Sequence, residues 1–253
     1  MKRMVGALLA CICAMGTVAP ASAAASPLKG EITVSAAASL TDSFTALAKA
    51  FRAANPKGKV RLNFGSTSTL VAQIQAGAPS DVIAAADLSS VEKLLTSGHV
   101  VAAPRVFARN SLSIAVKPGN PKKVKSIRDL SRLNTIAMCG KAAPCGVYAS
   151  TVLARAAVIV RESNITRGVD AKATLGAVVT GDADAAIVYK TDVLSAGKTA
   201  QTVEISASSN VKATYGIAAV RGSKNGSLAK AFVDFVLSEQ GWKILKSFGF
   251  QKT

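Results

Sequence analysis

Residues 32–51, with the sequence ITVSAAASLTDSFTALAKAF, contain two structural patterns in one short segment. The apolar run at 32–35 is typical of a short buried strand, and the larger apolar side chains after it follow the three- and four-residue spacing of one helix face. These side chains are Leu40, Phe44, Leu47 and Phe51. The sequence NP at 55–56 ends the pattern, because proline cannot continue a helix. The segment therefore predicts a strand, a turn and a helix.

The same order of strand, polar turn and helix recurs along the chain. Strands are predicted at 60–64, 82–85, 135–138 and 185–189, each followed by a helix that begins near 70, 89, 146 and 191 respectively. Further strands are predicted at 112–116 and 213–220, and two helices near the C-terminus. Alternating strands and helices are typical of α/β folds with mixed, mostly parallel sheets. The length of the chain favours two such lobes.

The composition limits the possible functions. The 253 residues are 49% apolar, carry a formal net charge of +17 and include one histidine, His99. A positive charge of this size attracts anionic partners, such as a small oxyanion, an acidic lipid or a nucleic acid. A single histidine excludes a metal site built from several histidines and any mechanism that needs two imidazoles.

The N-terminus has the features of an export signal. Two basic residues precede an almost unbroken apolar stretch at 5–19, and the sequence ASA at 21–23 has the pattern of a signal peptidase site. We therefore expect residues 1–23 to be a signal peptide. The mature protein would then lie in the periplasm or at the outer face of the cytoplasmic membrane. In an alternative interpretation, LLAC at 8–11 is a lipoprotein box and Cys11 carries a lipid anchor.

Two cysteines follow the predicted signal peptide, Cys139 and Cys145, in the loop-like sequence CGKAAPC. An exported protein can oxidise such a pair, so a disulfide is expected, with two free thiols as the alternative. The spacing differs from that of a redox-active CxxC motif. Closing so short a loop would stabilise the fold by about 2 kcal/mol and would stiffen the loop.

Residues with hydroxyl groups lie where predicted strands end and helices begin. Ser39 follows the first strand, and the run STST at 66–69 follows the second. In open α/β sheets this edge binds ligands, and helix N-termini there attract anions through unpaired N–H groups and a partial positive charge. Each hydroxyl could also be only a helix N-cap. No dinucleotide fingerprint or P-loop accompanies them, so a nucleotide site is unsupported.

Several segments, in order, resemble the molybdate-binding proteins of ABC transporters. They are ITVSAAASLT at 32–41, NFGSTSTL at 63–70, GAPSDV at 77–82 with AD at 86–87, PCGVYA at 144–149, GDADAAIVY at 181–189 and GF at 249–250. The resemblance implies a two-lobed periplasmic-binding-protein fold with the ligand cleft between the lobes. It also implies a monomeric binding protein, neither an enzyme nor a holder of a cofactor, that delivers molybdate or tungstate to an ABC-type molybdate permease.

The resemblance further implies which residues hold the oxyanion. The family's first serine corresponds to Ser39, its second hydroxyl to Thr67 and its tyrosine to Tyr189. Two backbone amides complete the set, those of Cys145 and Ala171. Molybdenum would be bound only as the oxyanion, with no direct bond to a protein atom.

The order of elements, combined with the implied fold, predicts the boundaries of the lobes. Lobe 1 would contain residues 28–108 and 215–253, and lobe 2 would contain residues 109–214. Hinges are expected near 108–110 and 213–215, and motion about them would close the lobes around a ligand.

Three other functions are alternatives to molybdate binding. A binding protein of the same fold for another oxyanion, such as sulfate, is the main alternative. A nucleic-acid-binding protein would use the basic residues at 117–132, but the chain has three tyrosines, one tryptophan and no aromatic cluster for stacking bases. An enzyme would need a base beside Ser39 or Thr67, whereas His99 lies in a predicted turn.

Overall fold

The computed structural model describes residues 28–253. The predicted signal peptide at 1–23 and the alternative lipid anchor at Cys11 lie outside the described residues. In the described part of the chain, no helix is both long enough and apolar enough to cross a membrane.

Nine strands of the described residues form one mixed sheet. They are β1 (Gly30–Ala37), β2 (Gly58–Gly65), β3 (Val82–Ala85), β4 (Arg105–Val116), β5 (Ile136–Cys139), β6 (Ile165–Gly168), β7 (Ala185–Tyr189), β8 (Gln201–Glu204) and β9 (Lys212–Ala219). The strand order is β2-β1-β3-β9-β4-β7-β5-β6, and β8 pairs with β4 beside this path.

The long strand β4 belongs to both halves of the sheet. Its residues between 105 and 111 pair with β9, and residues 112–116 pair with β7, all antiparallel. We call β1, β2, β3 and β9 the first half of the sheet, and β5 to β8 the second half. The outer strands of each half pair in parallel, β1 with β2 and β3, and β5 with β6 and β7. The predicted α/β class with a mixed sheet is confirmed, although parallel pairings do not predominate: four strand pairings of the described residues are parallel and four antiparallel, because β4 and β9 run against their neighbours.

Eight helices connect these strands or follow them. They are α1 (Thr41–Ala54), α2 (Thr67–Gln75), α3 (Leu88–Thr96), α4 (Pro144–Arg155), α5 (Ala171–Thr180), α6 (Lys190–Ala196), α7 (Gly226–Val236) and α8 (Glu239–Ser247). The predicted apolar face of α1 is buried in the core. Phe44 and Phe51 of this face meet Phe232 of α7 edge to face, with ring centroids 6.2 and 5.3 Å apart. Helix α7, the second-last helix of the chain, therefore packs on the first half of the sheet.

The two predicted hinge segments lie side by side. Ala108 of β4 pairs with Tyr215 of β9, and Asn110 pairs with Ala213. One strand leaves the first half of the sheet and the other returns to it, which is why they run antiparallel. The exact lobe boundaries, 28–108 with 215–253 against 109–214, stay a prediction.

Three details differ from the sequence-based expectations. Strands β6 and β8 were not predicted, because ITRG and QTVE contain no apolar run or clear alternation. The strand expected at 112–116 is the second part of the longer β4. The helix expected from Gly146 begins at Pro144, so Cys145 is helical and does not lie in a loop. Proline is favoured at the first helical position, where an N–H would lack a partner within the helix.

Candidate functional site

One small cavity brings together all five predicted site residues. It is lined by Ser39, Thr67, Cys145, Ala171 and Tyr189. Its volume, counted as the space that the centre of a water molecule can occupy, is about 10 Å³. The remaining lining residues are small or polar: Ala37, Ala38, Gly65, Ser66, Ala86, Pro144 and Asp170. Elements from both halves of the sheet contribute, so the cavity lies between the halves. That these five residues hold a ligand stays a prediction.

The first half of the sheet supplies two hydroxyl groups. Ser39 lies in a short 3-10 helix, Ala38–Leu40, directly after β1, and Thr67 is the first residue of α2, just after β2. Because β1 and β2 are neighbours and parallel, their C-terminal ends meet at one edge. The Thr67 hydroxyl oxygen accepts a hydrogen bond from the buried N–H of Ala86 at 3.1 Å. The Thr67 proton is left for another acceptor.

The second half supplies two backbone amides at helix N-termini. Pro144, the first residue of α4, has no N–H, so the first amide of this helix belongs to Cys145. Ala171 is the first residue of α5, whose N-cap Asp170 accepts a hydrogen bond from the N–H of Ala173 at 2.9 Å. The first N–H groups of a helix have no partner within it and lie at its partially positive end. Both amides therefore suit an anion.

A disulfide anchors one of these amides. Cys139, the last residue of β5, is bonded to Cys145, as the sequence analysis expected. The helix that carries Cys145 approaches the end of β5 closely. A Cβ atom on Gly146 would lie 2.2 Å from the carbonyl oxygen of Gly140, so a glycine is needed there. The bond and the close packing fix the Cys145 amide relative to the sheet.

Tyr189, the last residue of β7, carries a buried hydroxyl with no hydrogen-bond partner among the described residues. Its ring packs edge to face against Tyr148 and Tyr215, with centroids 6.4 and 5.7 Å apart. Burial, reinforced by the neighbouring tyrosines and Asp192, raises the pKa of Tyr189 well above its ordinary value. The hydroxyl therefore stays protonated and can donate. Leaving such a group unpaired is costly, and a ligand acceptor would satisfy it.

An ion pair joins the two halves beside the cavity. Lys172 of α5, next in the chain to Ala171, donates to a carboxylate oxygen of Asp42 in the first turn of α1 at 2.6 Å. Burial alone would raise the pKa of Asp42, but the Lys172 ammonium lowers it below its ordinary value. Both side chains are about a third or more exposed, 34% for Lys172 and 43% for Asp42, so water screens the pair. This ion pair can form only when the two halves of the sheet are close together.

Asp192 is a buried carboxyl behind the cavity. One of its oxygens accepts a hydrogen bond from the backbone N–H of Tyr189 at 3.1 Å, and the other is buried with no partner among the described residues. Burial raises the pKa of Asp192 to about 7, although the Lys172 ammonium acts in the opposite direction. Asp192 is therefore largely protonated in mildly acidic solution and ionised in alkaline solution.

This raised pKa predicts a specific pH dependence of stability. A carboxyl whose pKa is higher in the folded state stabilises the fold fully below its ordinary pKa of 3.8 and loses this contribution as pH rises through 7. The loss is on the order of 4 kcal/mol. Asp192→Asn keeps an acceptor for Tyr189 without the charge, so its unfolding free energy should fall less between pH 5 and 8 than that of the wild type. Urea unfolding at both pH values checks this. Equal pH dependence in the two proteins would contradict the assignment.

The structure adds polar residues that the sequence analysis did not assign to the site. The hydroxyl groups of Ser39 and Tyr215 are hydrogen-bonded at 2.9 Å, and the side-chain amide of Asn110 also donates to Tyr215 at 3.3 Å. Neither Asn110 nor Tyr215 lies in a recognisable motif. The one sequence feature that could have indicated Tyr215 is a tyrosine within an apolar strand, because a buried tyrosine hydroxyl needs a hydrogen-bond partner.

Comparison with known proteins places the sequence of this chain in a family. The profile of the bacterial extracellular solute-binding proteins matches residues 32–251. The molybdate-binding protein ModA of Mycobacterium tuberculosis strain H37Rv is 34% identical over 249 residues, which cover 97% of this chain and 94% of that protein.

Solved structures support the fold. The periplasmic molybdate-binding protein of Azotobacter vinelandii superimposes with a TM-score of 0.78 at 20% identity, covering 88% of this chain and 99% of that one. The sulfate-binding protein SubI of Mycobacterium tuberculosis H37Rv superimposes with a TM-score of 0.79, also at 20% identity, covering 88% of this chain and 87% of the other. At this identity the two structures support the two-lobed fold and do not distinguish between their ligands.

Proposed function

Because the chain belongs to the family of bacterial extracellular solute-binding proteins, we propose that it captures molybdate and delivers it to an ABC importer. The molybdate ion would lie in the cavity between the two halves of the sheet. Its four oxygens would accept hydrogen bonds from the hydroxyls of Ser39, Thr67 and Tyr189 and from the amides of Cys145 and Ala171.

The donor character of the cavity is the observation that carries this proposal. A fully deprotonated dianion only accepts hydrogen bonds, and the five predicted groups can all donate. Among the lining residues Asp170 alone is charged, and its carboxylate accepts a hydrogen bond from its own helix. No lysine or arginine side chain lines the cavity within the described part of the chain. The anion would be held by oriented dipoles and helix N-termini.

The same chemistry distinguishes molybdate from phosphate. Near neutral pH phosphate still carries a proton and needs an acceptor for it, whereas the five predicted groups act as donors toward a ligand. Sulfate has the charge of molybdate but shorter central bonds, so its rejection depends on cavity size and on rigid walls. A sulfate-binding protein of the same fold is therefore the alternative, and tungstate, which closely matches molybdate in size and charge, should bind as well.

The family implies a binding role outside the cytoplasm and no catalysis. We propose delivery to a molybdate permease in the membrane, with the halves of the sheet closing around the ligand before docking. The Asp42–Lys172 pair, formed when the halves meet, supports such a closed form. Thermal melting tests the ligand assignment. Molybdate and tungstate should raise the melting temperature while sulfate and phosphate leave it unchanged, because only a ligand that binds the folded state stabilises it.

Reducing the disulfide should weaken both stability and selectivity. The Cys139–Cys145 bond closes a short loop, and its loss is expected to lower the unfolding free energy by about 2 kcal/mol. Because the bond fixes the amide of Cys145, reduction should also raise the Kd for molybdate relative to that for sulfate. Titration before and after confirmed reduction, with Cys139→Ser/Cys145→Ser as a permanent reduced form, measures both effects. Unchanged affinities for the two anions would show that the bond does not shape the cavity.

A further inference from the structure

We propose that Tyr215 is a positioning residue of the anion site, which orients the Ser39 hydroxyl as a hydrogen-bond donor toward the ligand. The inference rests on the proposed function and concerns how that site selects deprotonated anions. Tyr215 does not line the cavity; it lies behind Ser39 on β9 and would act only through the serine.

A buried chain of hydrogen bonds connects the site to the middle of the sheet. The Asn110 side-chain nitrogen donates to the hydroxyl of Tyr215 at 3.3 Å and to the hydroxyl of Thr191 at 2.8 Å. The Tyr215 hydroxyl lies 2.9 Å from that of Ser39. All four side chains are buried, the most exposed being Ser39 at 8%. The chain thus links the paired strands β4 and β9 with the start of α6 and with the cavity.

The direction of each hydrogen bond follows from the amide of Asn110. Its oxygen accepts a hydrogen bond from the N–H of Ser111 at 2.9 Å, which fixes which end of the amide is the nitrogen. Because that nitrogen donates to Tyr215, the tyrosine proton is directed to the remaining partner, the oxygen of Ser39. Burial raises the pKa of Tyr215, so the proton stays on the tyrosine.

The Ser39 oxygen therefore accepts from Tyr215, and its own proton is left for the cavity. A serine held in this way donates to a ligand oxygen and, with one of its two lone pairs already occupied, is a poorer acceptor for a ligand O–H. The same polarity holds at Thr67, whose oxygen accepts from the backbone of Ala86. Two hydroxyls from the first half of the sheet are thus fixed as donors, which favours an anion that has only acceptors.

Packing keeps this arrangement rigid. The Tyr215 ring contacts the rings of Phe107, Tyr189 and Phe250 edge to face, with centroids 5.5 to 6.0 Å apart. Replacing tyrosine with phenylalanine would keep these contacts and remove the hydroxyl alone. The variant Tyr215→Phe is therefore a specific test of the hydrogen bond to Ser39.

Titration calorimetry of Tyr215→Phe with molybdate and phosphate tests the proposal. Affinity for molybdate should fall about three- to tenfold, the effect of one neutral hydrogen bond. The ratio of phosphate Kd, obtained by competition with molybdate at high phosphate concentration, to molybdate Kd should fall as well, because both lone pairs of Ser39 are then free to accept a hydrogen bond from the phosphate O–H. Tyr148→Phe, which removes a hydroxyl from the same aromatic stack outside the cavity lining, should change neither quantity.

A double-mutant cycle separates positioning from general structural damage. In a Ser39→Ala background, Tyr215→Phe should cause no further loss of molybdate affinity, because the serine through which it acts is gone. An equal loss with and without Ser39 would overturn the proposal, as would an unchanged affinity and ratio in the single variant. If Tyr215→Phe does not fold, Asn110→Ala removes the donor that orients the Tyr215 hydroxyl and enters the same cycle.

The outcomes also separate this proposal from the proposed function. If the wild type bound sulfate and not molybdate, the ligand assignment would be wrong, yet the same cycle run with sulfate would still decide whether Tyr215 acts through Ser39.

Discussion

Replacing Tyr189 with phenylalanine should weaken molybdate binding about ten- to 150-fold, because a hydrogen bond to a charged group contributes about 1.5–3 kcal/mol. The Tyr189 hydroxyl is buried in the cavity wall and has no partner among the described residues. Its removal therefore breaks no bond within the protein and takes away a buried unpaired polar group, so the unfolding free energy without ligand should not fall. Titration calorimetry and urea unfolding measure the two quantities on the same sample.

The matched control for this variant is Tyr148→Phe. The two tyrosine rings pack against each other, but only Tyr189 lines the cavity. Tyr148→Phe should bind molybdate as the wild type does. If Tyr189→Phe retained full affinity, or if both variants lost affinity equally, the Tyr189 hydroxyl would not be a ligand donor.

Replacing Thr67 with valine should reduce both affinity and stability. Valine matches threonine in shape, so the change removes the hydroxyl with little change in packing. The anion loses a donor, and affinity should again fall about tenfold or more. In addition, the buried N–H of Ala86 loses its acceptor at 3.1 Å, which should lower the unfolding free energy by about 1–3 kcal/mol. Titration and denaturant unfolding check both effects.

Thr67→Ser serves as the control because it keeps the hydroxyl and removes only a methyl group. Its affinity should lie close to that of the wild type, and it should recover most of the stability lost in Thr67→Val. Tyr189→Phe provides a second comparison, because it should lose molybdate affinity without losing stability, whereas Thr67→Val should lose both. Equal affinity in Thr67→Val and the wild type would remove Thr67 from the proposed site.

Local patterns in the sequence were sufficient to predict much of the fold. The spacing of Leu40, Phe44, Leu47 and Phe51 predicted α1, and all four side chains are buried. Each strand–helix unit has its own regular spacing of apolar residues and its own polar turn. Residues close in sequence are therefore enough to predict the unit. The five predicted site residues came from the family resemblance. The structure places all of them on one cavity, at the strand ends where the sequence analysis expected an anion.

Features that depend on distant parts of the chain could not be predicted in this way. Ser39 and Tyr215 are 176 positions apart, and Asp42 and Lys172 are 130 apart, so no local period connects either pair. Their contacts follow from how the two halves of the sheet meet along β4 and β9. The raised pKa of Asp192 has the same origin, because its burial depends on packing from several elements.

Titration calorimetry of the purified mature protein with molybdate, tungstate, sulfate and phosphate, at one pH and one salt concentration, tests the central claim most directly. We predict tight one-to-one binding of molybdate and tungstate, with sulfate and phosphate bound far more weakly. Sulfate binding as tight as that of molybdate, or the absence of molybdate binding, would contradict the proposed function.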